Sequence, residues 1–363
     1  MQRWHGLAGA LKFVNPLLRL CNNTKTYNSI ENAMTLSKTT YAVQFDQNGG
    51  PDVLQYREVA IGMPAAGEVR IKHLAVGLNY IDIYFRNGLY PAPALPSGIG
   101  FEASGVVEAV GDGVTAVAVG DRVAYGQGPL GAYSQSRVMP VAQVVRIPEA
   151  VSFEQAAAMM LKGMTVEYLF NRTYALKAGD TILFNAAAGG VGLIACQWAR
   201  ALGVKLIGTV SSADKAATAM AHGAWATIDY SKEDVAKRVL ELTEGKKVPV
   251  VYDGVGKSTW ASSLDSLAAR GLMVSFGNAS GAVDGVNVGI LAAKGSLYLT
   301  RPTLATHVST RPMLEATAGH LFQMVADGKV NIEINRRYAL KDAAQAQIDL
   351  AGRGTTGTGI LLP

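Results

Sequence analysis

The sequence predicts an α/β protein in which a β-rich domain precedes a doubly wound parallel sheet. The chain has 363 residues, of which 49% are hydrophobic and 17% charged, which is enough apolar material for the cores of about two domains. Its 40 glycines fall between apolar runs, as is typical of the tight turns of α/β folds. Near Ser152 the apolar pattern changes from short alternating segments to strands that alternate with helices, and this change divides the chain.

The first domain is predicted over residues 39–162. Residues 41–45, 68–73, 105–110 and 121–125 read as strands, because apolar and polar residues alternate in them and turn residues bound them. Many short strands in succession indicate a barrel-like β domain.

The second domain is predicted over residues 163–300, and residues 301–363 form a tail that returns to the first domain. Ser152, followed by helix formers and Gln155, indicates the start of a helix at the boundary. Beyond it strands alternate with helices, which implies parallel strands joined by right-handed crossovers. The predicted strands are 181–185, 205–210, 225–229, 248–253, 272–276 and 296–300, and the predicted helices are 193–202, 213–221, 233–242 and 259–269. In the tail, 322–326 and 342–350 are predicted as helices, and 330–334 and 358–362 as strands.

Residues 1–38 form a basic leader. They hold five basic residues and one acidic residue, Glu31. We expect a disordered extension, with Met34 as an alternative start of the protein. A mitochondrial presequence is the other interpretation, because the segment is basic, acid-poor and mildly amphipathic. No apolar run approaches the roughly 18 residues of a membrane span. We therefore expect a cytoplasmic protein, or a mitochondrial one if the leader is a presequence.

The rest of the chain is nearly neutral. The leader carries most of the total net charge of +5, and no basic stripe with interleaved aromatic residues marks a nucleic-acid surface. We expect neither a nucleic acid nor a membrane as a partner. The two cysteines, Cys21 and Cys196, exclude a disulfide scaffold and a Cys-rich zinc site.

A glycine-rich loop stands between the first predicted strand of the second domain and the helix that follows. Residues 185–192 read Asn-Ala-Ala-Ala-Gly-Gly-Val-Gly. In this context Gly189 and Gly190 let backbone amides approach a pyrophosphate, and Gly192 lets the helix pack closely on the strand. The N-terminus of the helix adds partial positive charge. The loop therefore predicts a dinucleotide site rather than a plain turn.

The residues after the second strand of this domain favour NADPH as the cofactor. An NAD site places Asp or Glu there for the ribose 2′-hydroxyl, but residues 208–215 carry no acid at the strand end. Ser211 offers a hydroxyl, and Lys215 in the next helical turn would attract a 2′-phosphate. The side chain of Asp214 is expected to point away from this 2′-phosphate. Tyr230, after the third strand, is equally compatible with a wall of this pocket and with plain packing.

Motifs along residues 40–363 resemble one known family. The glycine loop and its flanks are similar to the signature of the quinone oxidoreductase/zeta-crystallin family, which belongs to the medium-chain dehydrogenase/reductase superfamily. Bacterial NADPH:quinone reductases are especially similar. The matching residues outside the loop are Gly179, Asp180, Leu183, Gln197 and Arg200, with the segments 77–84, 86–91, 161–165, 250–253 and 274–278.

The resemblance implies a GroES-like β-rich catalytic domain, a Rossmann doubly wound domain that binds NADPH, and a cleft between them. It also implies a homodimer built through edge strands of the two Rossmann sheets. Without the resemblance, the spacing of residues in the sequence supports only the glycine loop and Lys215 as cofactor contacts. The family's cofactor contacts map onto Asn79, Tyr80, Ile81, Asp82, Ile83, Tyr84, Tyr168, Gly189, Gly190, Val191, Ser211, Lys215, Tyr230, Phe276, Gly277, Asn278, Ala279, Pro302, Thr303, Leu304 and Arg353.

The residues that bind catalytic zinc in related enzymes are replaced in this chain. Zinc relatives carry Cys where Asn79 stands and His where Phe101 stands, and the second motif here reads Gly100-Phe101-Glu102. A catalytic zinc usually needs three protein ligands, and the five histidines are scattered without ligand spacing. We therefore expect no metal. Without a Lewis acid, an acceptor that is already electrophilic suits hydride exchange better than an ordinary ketone does.

Asn79 and Tyr84 are the candidate catalytic residues. Tyr84 could donate a hydrogen bond or a proton to the reduced acceptor, and Asn79 could orient the nicotinamide or the acceptor. Tyr90 is a candidate for stacking on a flat ring. For both tyrosines a purely packed role is an equal alternative. Asp82 and Arg86 have helical i,i+4 spacing, which predicts a structural ion pair.

These residues predict a zinc-independent NADPH:quinone oxidoreductase. The first alternative is an NADPH-dependent reductase of α,β-unsaturated aldehydes or ketones, since acceptor pockets lie in variable loops. A nucleotide- or RNA-binding protein with little turnover is the alternative from another class. The sequence leaves open whether one hydride or two single electrons are transferred.

Overall fold

Three β-sheets organise the chain, which a computed structural model describes over residues 36–352 and 356–363. Within this part the strands, in chain order, are β1 (Thr39–Phe45), β2 (Gln55–Ala60), β3 (Glu68–Gly77), β4 (Ser97–Gly98), β5 (Ala103–Val110), β6 (Arg122–Tyr125), β7 (Ser136–Pro140), β8 (Val145–Arg146), β9 (Thr181–Phe184), β10 (Lys205–Val210), β11 (Ala226–Asp229), β12 (Val248–Asp253), β13 (Leu267–Ser275), β14 (Tyr298–Thr300), β15 (Ile334–Ala339) and β16 (Thr358–Leu362). The α-helices are α1 (Tyr80–Arg86), α2 (Phe153–Tyr168), α3 (Gly190–Leu202), α4 (Ala213–Ala221), α5 (Val235–Leu242), α6 (Trp260–Asp265), α7 (Gly289–Ala293), α8 (Leu304–His307), α9 (Arg311–Ala326) and α10 (Ala343–Ala351).

Two largely antiparallel sheets make up the first sheet system, which contains β1 to β8 together with β15 and β16 from the end of the chain. A small sheet has the order β2-β1-β4, and a larger one has the order β15-β16-β3-β5-β6-β8, with β7 also paired to β3. Strand β16 lies antiparallel to β3, and β15 pairs with β16 in parallel. The last strand of the chain is therefore part of the first sheet system.

The parallel sheet has the order β11-β10-β9-β12-β13-β14, and every neighbouring pair in it runs parallel. The order reverses between β9 and β12, and ligands of doubly wound sheets bind at the carboxyl ends of strands at such a reversal. The predicted fold class is confirmed.

Helix α2 lies between the two sheet systems. Ser152 and Gln155 form the predicted capping box at its start: the Gln155 amide donates to the Ser152 hydroxyl, and the Ser152 amide donates to the Gln155 side chain. The helix contacts β3, β5 and β6 on one side and α3 and α9 on the other. The buried apolar cluster around this helix contains residues of both sheet systems, and each system has a further apolar cluster of its own.

Two local predictions are wrong. Helix α6 ends at Asp265, and residues 267–269, predicted as helix, begin β13. There Leu267 pairs with Val248 of β12, so sheet formation overrides the helical preference of Leu-Ala-Ala. The strand predicted at 330–334 begins only at Ile334, because Asn331 exchanges two hydrogen bonds with the side chain of Gln197. No described helix is long and apolar enough to cross a membrane.

Candidate active site

The glycine loop connects the carboxyl end of β9 to α3 at the reversal of the sheet. The side chain of Asn185 holds the start of the loop: its Nδ2 donates to the Ser263 hydroxyl at 2.8 Å, and its Oδ1 accepts from the Thr209 hydroxyl at 3.0 Å. The Asn185 amide donates to the carbonyl of Tyr252 on β12. The loop is thereby fixed to β10, β12 and α6, the elements that surround the reversal.

The three glycines of the loop differ in how much room their surroundings leave for a side chain. A Cβ on Gly192 would lie 2.5 Å from the carbonyl oxygens of Ala186 and Ala187, which is too close for any side chain. A Cβ on Gly190 would lie 3.1 Å from the Cδ and Cε of Lys162. A Cβ on Gly189 would meet only the Ala186 carbonyl, at 3.3 Å. Gly192 therefore has to be glycine, and the backbone amides at the start of α3 are donors of the kind that suit a diphosphate.

The end of β10 has the chemistry of a phosphate site. The Nζ of Lys215 donates to the Ser211 hydroxyl at 3.2 Å, while the Ser212 hydroxyl caps α4. Asp214 is exposed. The amide of Tyr230 donates to the carbonyl of Val210, and its side chain is 47% exposed. Ser211, Lys215 and Tyr230 thus follow adjacent strand ends, and this donor set fits a 2′-phosphate.

Tyrosines of the first part of the chain meet the segment that follows β13. The backbone amide of Asn278 donates to the Tyr84 hydroxyl at 3.2 Å, and its Nδ2 donates to the Tyr90 hydroxyl at 3.1 Å. Burial raises the pKa of Tyr84 above its ordinary value, so the phenol stays protonated at neutral pH. The two rings meet edge to face, with centroids 5.3 Å apart.

Asn79 is buried at the start of α1. Its Nδ2 donates to Oε2 of Glu102 at 2.7 Å, and its backbone amide donates to Oδ2 of Asp82 at 2.9 Å. The Nζ of Lys162 lies 3.3 Å from the same Glu102 oxygen. Glu102 and Lys162 lie within the sequence motifs 100–102 and 161–165, but neither residue was predicted to have a role in the site. The available signal was a lysine inside the otherwise apolar run of α2, since a buried charge needs a partner.

The predicted ion pair between Asp82 and Arg86 is wrong. Asp82 accepts from the Tyr133 hydroxyl at 2.8 Å, and Arg86 donates to the side chain of Gln347 at 2.7 Å. Both residues are buried, and each is held by a different neighbour. Burial raises the pKa of Asp82 to about 7. Helical spacing is a weak guide here because α1 has only seven residues, and because Tyr133 and Gln347, which lie outside the helix, supply the hydrogen-bond partners of the two side chains.

Some of the other predicted cofactor contacts have defined side-chain partners, and the rest are located only by their neighbours in the chain. Tyr168 is buried and stacks on His307 with centroids 4.3 Å apart, and burial raises its pKa. Tyr80 donates to the carbonyl of Leu350 at 2.9 Å, and Thr303 caps α8. The remaining predicted contacts are next to these residues, or to Gly190, Asn278 or Tyr84, along the chain. They are Ile81, Ile83, Val191, Phe276, Gly277, Ala279, Pro302 and Leu304. Arg353 lies outside the described residues.

Within residues 36–352 and 356–363, no group of three His, Cys, Asp or Glu side chains is placed to hold a metal ion. Cys196 is buried and unbonded to another cysteine.

A mainly antiparallel sheet system joined to a doubly wound parallel sheet, with a glycine loop at its reversal, defines the medium-chain dehydrogenase/reductase superfamily. Residues 65–149 match the family model described as Alcohol dehydrogenase GroES-like domain, and residues 190–315 match that described as Zinc-binding dehydrogenase. The Quinone oxidoreductase of Pseudomonas aeruginosa is 61% identical over 321 residues, which cover 88% of this chain and 99% of that protein. The chain therefore belongs to the quinone oxidoreductase family.

Two further relatives bear on the site. The crystal structure of Escherichia coli quinone oxidoreductase complexed with NADPH is 52% identical, with a TM-score of 0.88, and covers 89% of this chain and 100% of that chain. The 2-haloacrylate reductase of a Burkholderia species is 43% identical over 329 residues, covering 89% of this chain and 98% of that protein.

Proposed function

We propose that the protein is a zinc-independent NADPH:quinone oxidoreductase. The observation that carries this proposal is the end of β10, where Lys215 meets the Ser211 hydroxyl beside the glycine loop, in a chain that belongs to the quinone oxidoreductase family. The loop backbone and the N-terminus of α3 would hold the diphosphate. Ser211, Lys215 and Tyr230 would hold the 2′-phosphate, and Arg353 is proposed as a further contact on the basis of the family resemblance.

Bound NADPH supplies the reducing equivalents from its nicotinamide ring. The residues of the chain position the acceptor and meet the charge that develops on it. The Tyr84 oxygen accepts from the amide of Asn278, so the phenol proton can be donated to an acceptor oxygen. Asn79 would orient the nicotinamide or the acceptor. A quinone is already electrophilic, and hydrogen-bond donors near its oxygens are sufficient help for its reduction.

A steady-state screen tests the proposal. The purified full chain should oxidise NADPH in the presence of 1,2-naphthoquinone or benzoquinone, and should prefer NADPH to NADH. Absence of turnover with every quinone, at saturating NADPH, would refute the assignment.

A second candidate acceptor is an alkene conjugated to a carbonyl group. The 43% identity to a 2-haloacrylate reductase favours it, because such an alkene is also electrophilic without a metal. Including 2-chloroacrylate and an enone in the same panel separates the two functions by their kcat/KM values.

We further propose a homodimer and a cytoplasmic location. Strand β14 is at the edge of the parallel sheet and exposes Tyr298 and Leu299, an apolar edge that a second copy could cover. A free buried thiol, Cys196, suits a reducing compartment. Light scattering and fractionation of the native host test these two points.

A further inference from the structure

A buried ion pair lies behind the candidate active site. Lys162 of α2 and Glu102, the residue before β5, are almost inaccessible to solvent, and the Nζ of Lys162 lies 3.3 Å from Oε2 of Glu102. Removing two charges from water costs about as much free energy as their attraction returns. Stability alone therefore gives a weak reason for this pair, and its neighbours indicate another.

Glu102 determines how the side-chain amide of Asn79 is turned. A carboxylate only accepts hydrogen bonds. Its Oε1 accepts from the backbone amide of Leu161 at 2.7 Å, and its Oε2 accepts from Nδ2 of Asn79 at 2.7 Å as well as from Lys162. With Nδ2 directed at Glu102, the oxygen of the planar Asn79 amide is directed away from that carboxylate, and in the capping box at the start of α1 it faces the backbone amide of Asp82.

The same lysine supports the glycine loop. The position that a Cβ would take on Gly190 lies 3.1 Å from the Cδ and Cε of Lys162, so the methylene groups pack directly against the first residue of α3. One side chain thus contacts the loop proposed to hold the diphosphate, and its ammonium group meets the carboxylate that holds Asn79.

We propose that Glu102 and Lys162 are positioning residues, which fix the orientation of the Asn79 amide and tie it to the glycine loop. The inference rests on the proposed function, in which Asn79 faces the nicotinamide or the acceptor. The charges of the pair act through Asn79, whereas the methylene groups of Lys162 pack against Gly190. Loss of the charges alone, with an unbranched side chain kept at 162, should therefore affect the nicotinamide end of the cofactor and leave the phosphate end unchanged.

The test replaces the whole pair by apolar residues of similar size, because such a replacement is often neutral for stability. The variant E102M/K162M is compared with N79A and with the triple variant. A matched control is R70M/E108M, which removes another ion pair of the same sheet, joined at 3.0 Å. Glu108 is six residues further along β5, or about 20 Å away.

We expect E102M/K162M to lower kcat for a quinone by about 10- to 100-fold, with no further loss in the N79A background. The fluorescence of bound NADPH should change as it does in N79A. The Kd of 2′-phospho-ADP-ribose, which lacks nicotinamide, should equal that of the wild type. The control should retain wild-type kcat.

Wild-type kcat and wild-type NADPH fluorescence in the folded pair variant would overturn the inference, as would losses that add to those of N79A. If the pair variant does not fold, the variant E102Q tests the inference instead. Glutamine keeps the shape of Glu102 but replaces one carboxylate oxygen, a hydrogen-bond acceptor, by an NH2 group, which is a donor. A loss of kcat in the same direction supports the inference, and unchanged kcat and fluorescence refute it. An inactive wild type would instead refute the proposed function.

Discussion

Arg301 donates from its Nη2 to the hydroxyl of Tyr90 at 3.0 Å, and so joins the end of β14 to the segment that follows α1. The Nη1 of the same guanidinium donates to the carbonyl of Ser275 at 3.0 Å, which fixes it to β13. Tyr90 also accepts from the side chain of Asn278. The two sheet systems are thus linked by polar contacts at one phenol oxygen, next to Tyr84.

Removal of the Tyr90 hydroxyl should make the acceptor site less rigid. We expect Tyr90→Phe to lower kcat/KM for a quinone by about 5- to 10-fold, since two hydrogen bonds worth about 0.5–1.5 kcal/mol each are lost and the partners become solvated. Steady-state kinetics checks this. Tyr56→Phe, in exposed strand β2, is the control and should leave kcat/KM unchanged. Wild-type kinetics for both variants would show that Tyr90 is only packed.

Lys215 should select NADPH over NADH. Lys215→Ala is expected to weaken NADPH binding by about 1–3 kcal/mol, because a charge-assisted bond to the 2′-phosphate is lost, and to change NADH binding little. Fluorescence titration with both cofactors measures the difference. Lys246→Ala removes a lysine that is 80% exposed and pairs with Glu244, and it should alter neither affinity. Equal losses for both cofactors in Lys215→Ala would contradict phosphate selection.

Gly192 should tolerate no side chain. Gly192→Ala places a Cβ against two backbone carbonyl oxygens, and we expect a loss of about 1–3 kcal/mol in the free energy of unfolding. Gly319→Ala is the control: no atom lies within 4 Å of its Cβ position in α9, and alanine there should stabilise the helix by about 0.5–1 kcal/mol. Urea unfolding of both variants checks the prediction, which an unchanged Gly192→Ala would disprove.

His73 should make the fold sensitive to acid. Its Nδ1 lies 2.7 Å from the carbonyl of Ser134 and its Nε2 lies 2.9 Å from the Tyr125 hydroxyl, and burial lowers its pKa to about 3. The folded state holds the neutral ring, so this stability is present above the unfolded pKa of about 6.5 and is lost as pH falls towards 3.

Between pH 6.5 and the folded pKa of His73, the free energy of unfolding should fall by about 1.4 kcal/mol for each pH unit. His73→Gln cannot titrate, and the difference between its free energy of unfolding and that of the wild type should therefore shrink as pH falls from 6.5 to 4. Urea unfolding at several pH values measures the difference. A difference that is constant with pH would show that His73 does not carry this dependence.

Local patterns predicted the parts of the site that depend on the backbone. The strand, loop and helix around Gly189–Gly192, and the hydroxyl and lysine at the end of β10, are encoded by residues close together in the chain. The boundary at β13 failed because Leu267 is held by Val248, a partner that no local preference reveals. The Asp82–Arg86 pair failed for the same reason, since Tyr133 and Gln347 lie far away in the sequence.

The sequence by itself determined the parallel sheet, the glycine loop, and the hydroxyl and lysine that follow β10, because backbone geometry and turn chemistry are local. Only the tertiary structure decided which buried polar groups meet. Lys162 and Glu102 are 60 residues apart in the chain, and their contact exists because α2 packs between the two sheet systems. Buried charges select partners by proximity in the folded core, and that proximity is a property of packing rather than of sequence spacing.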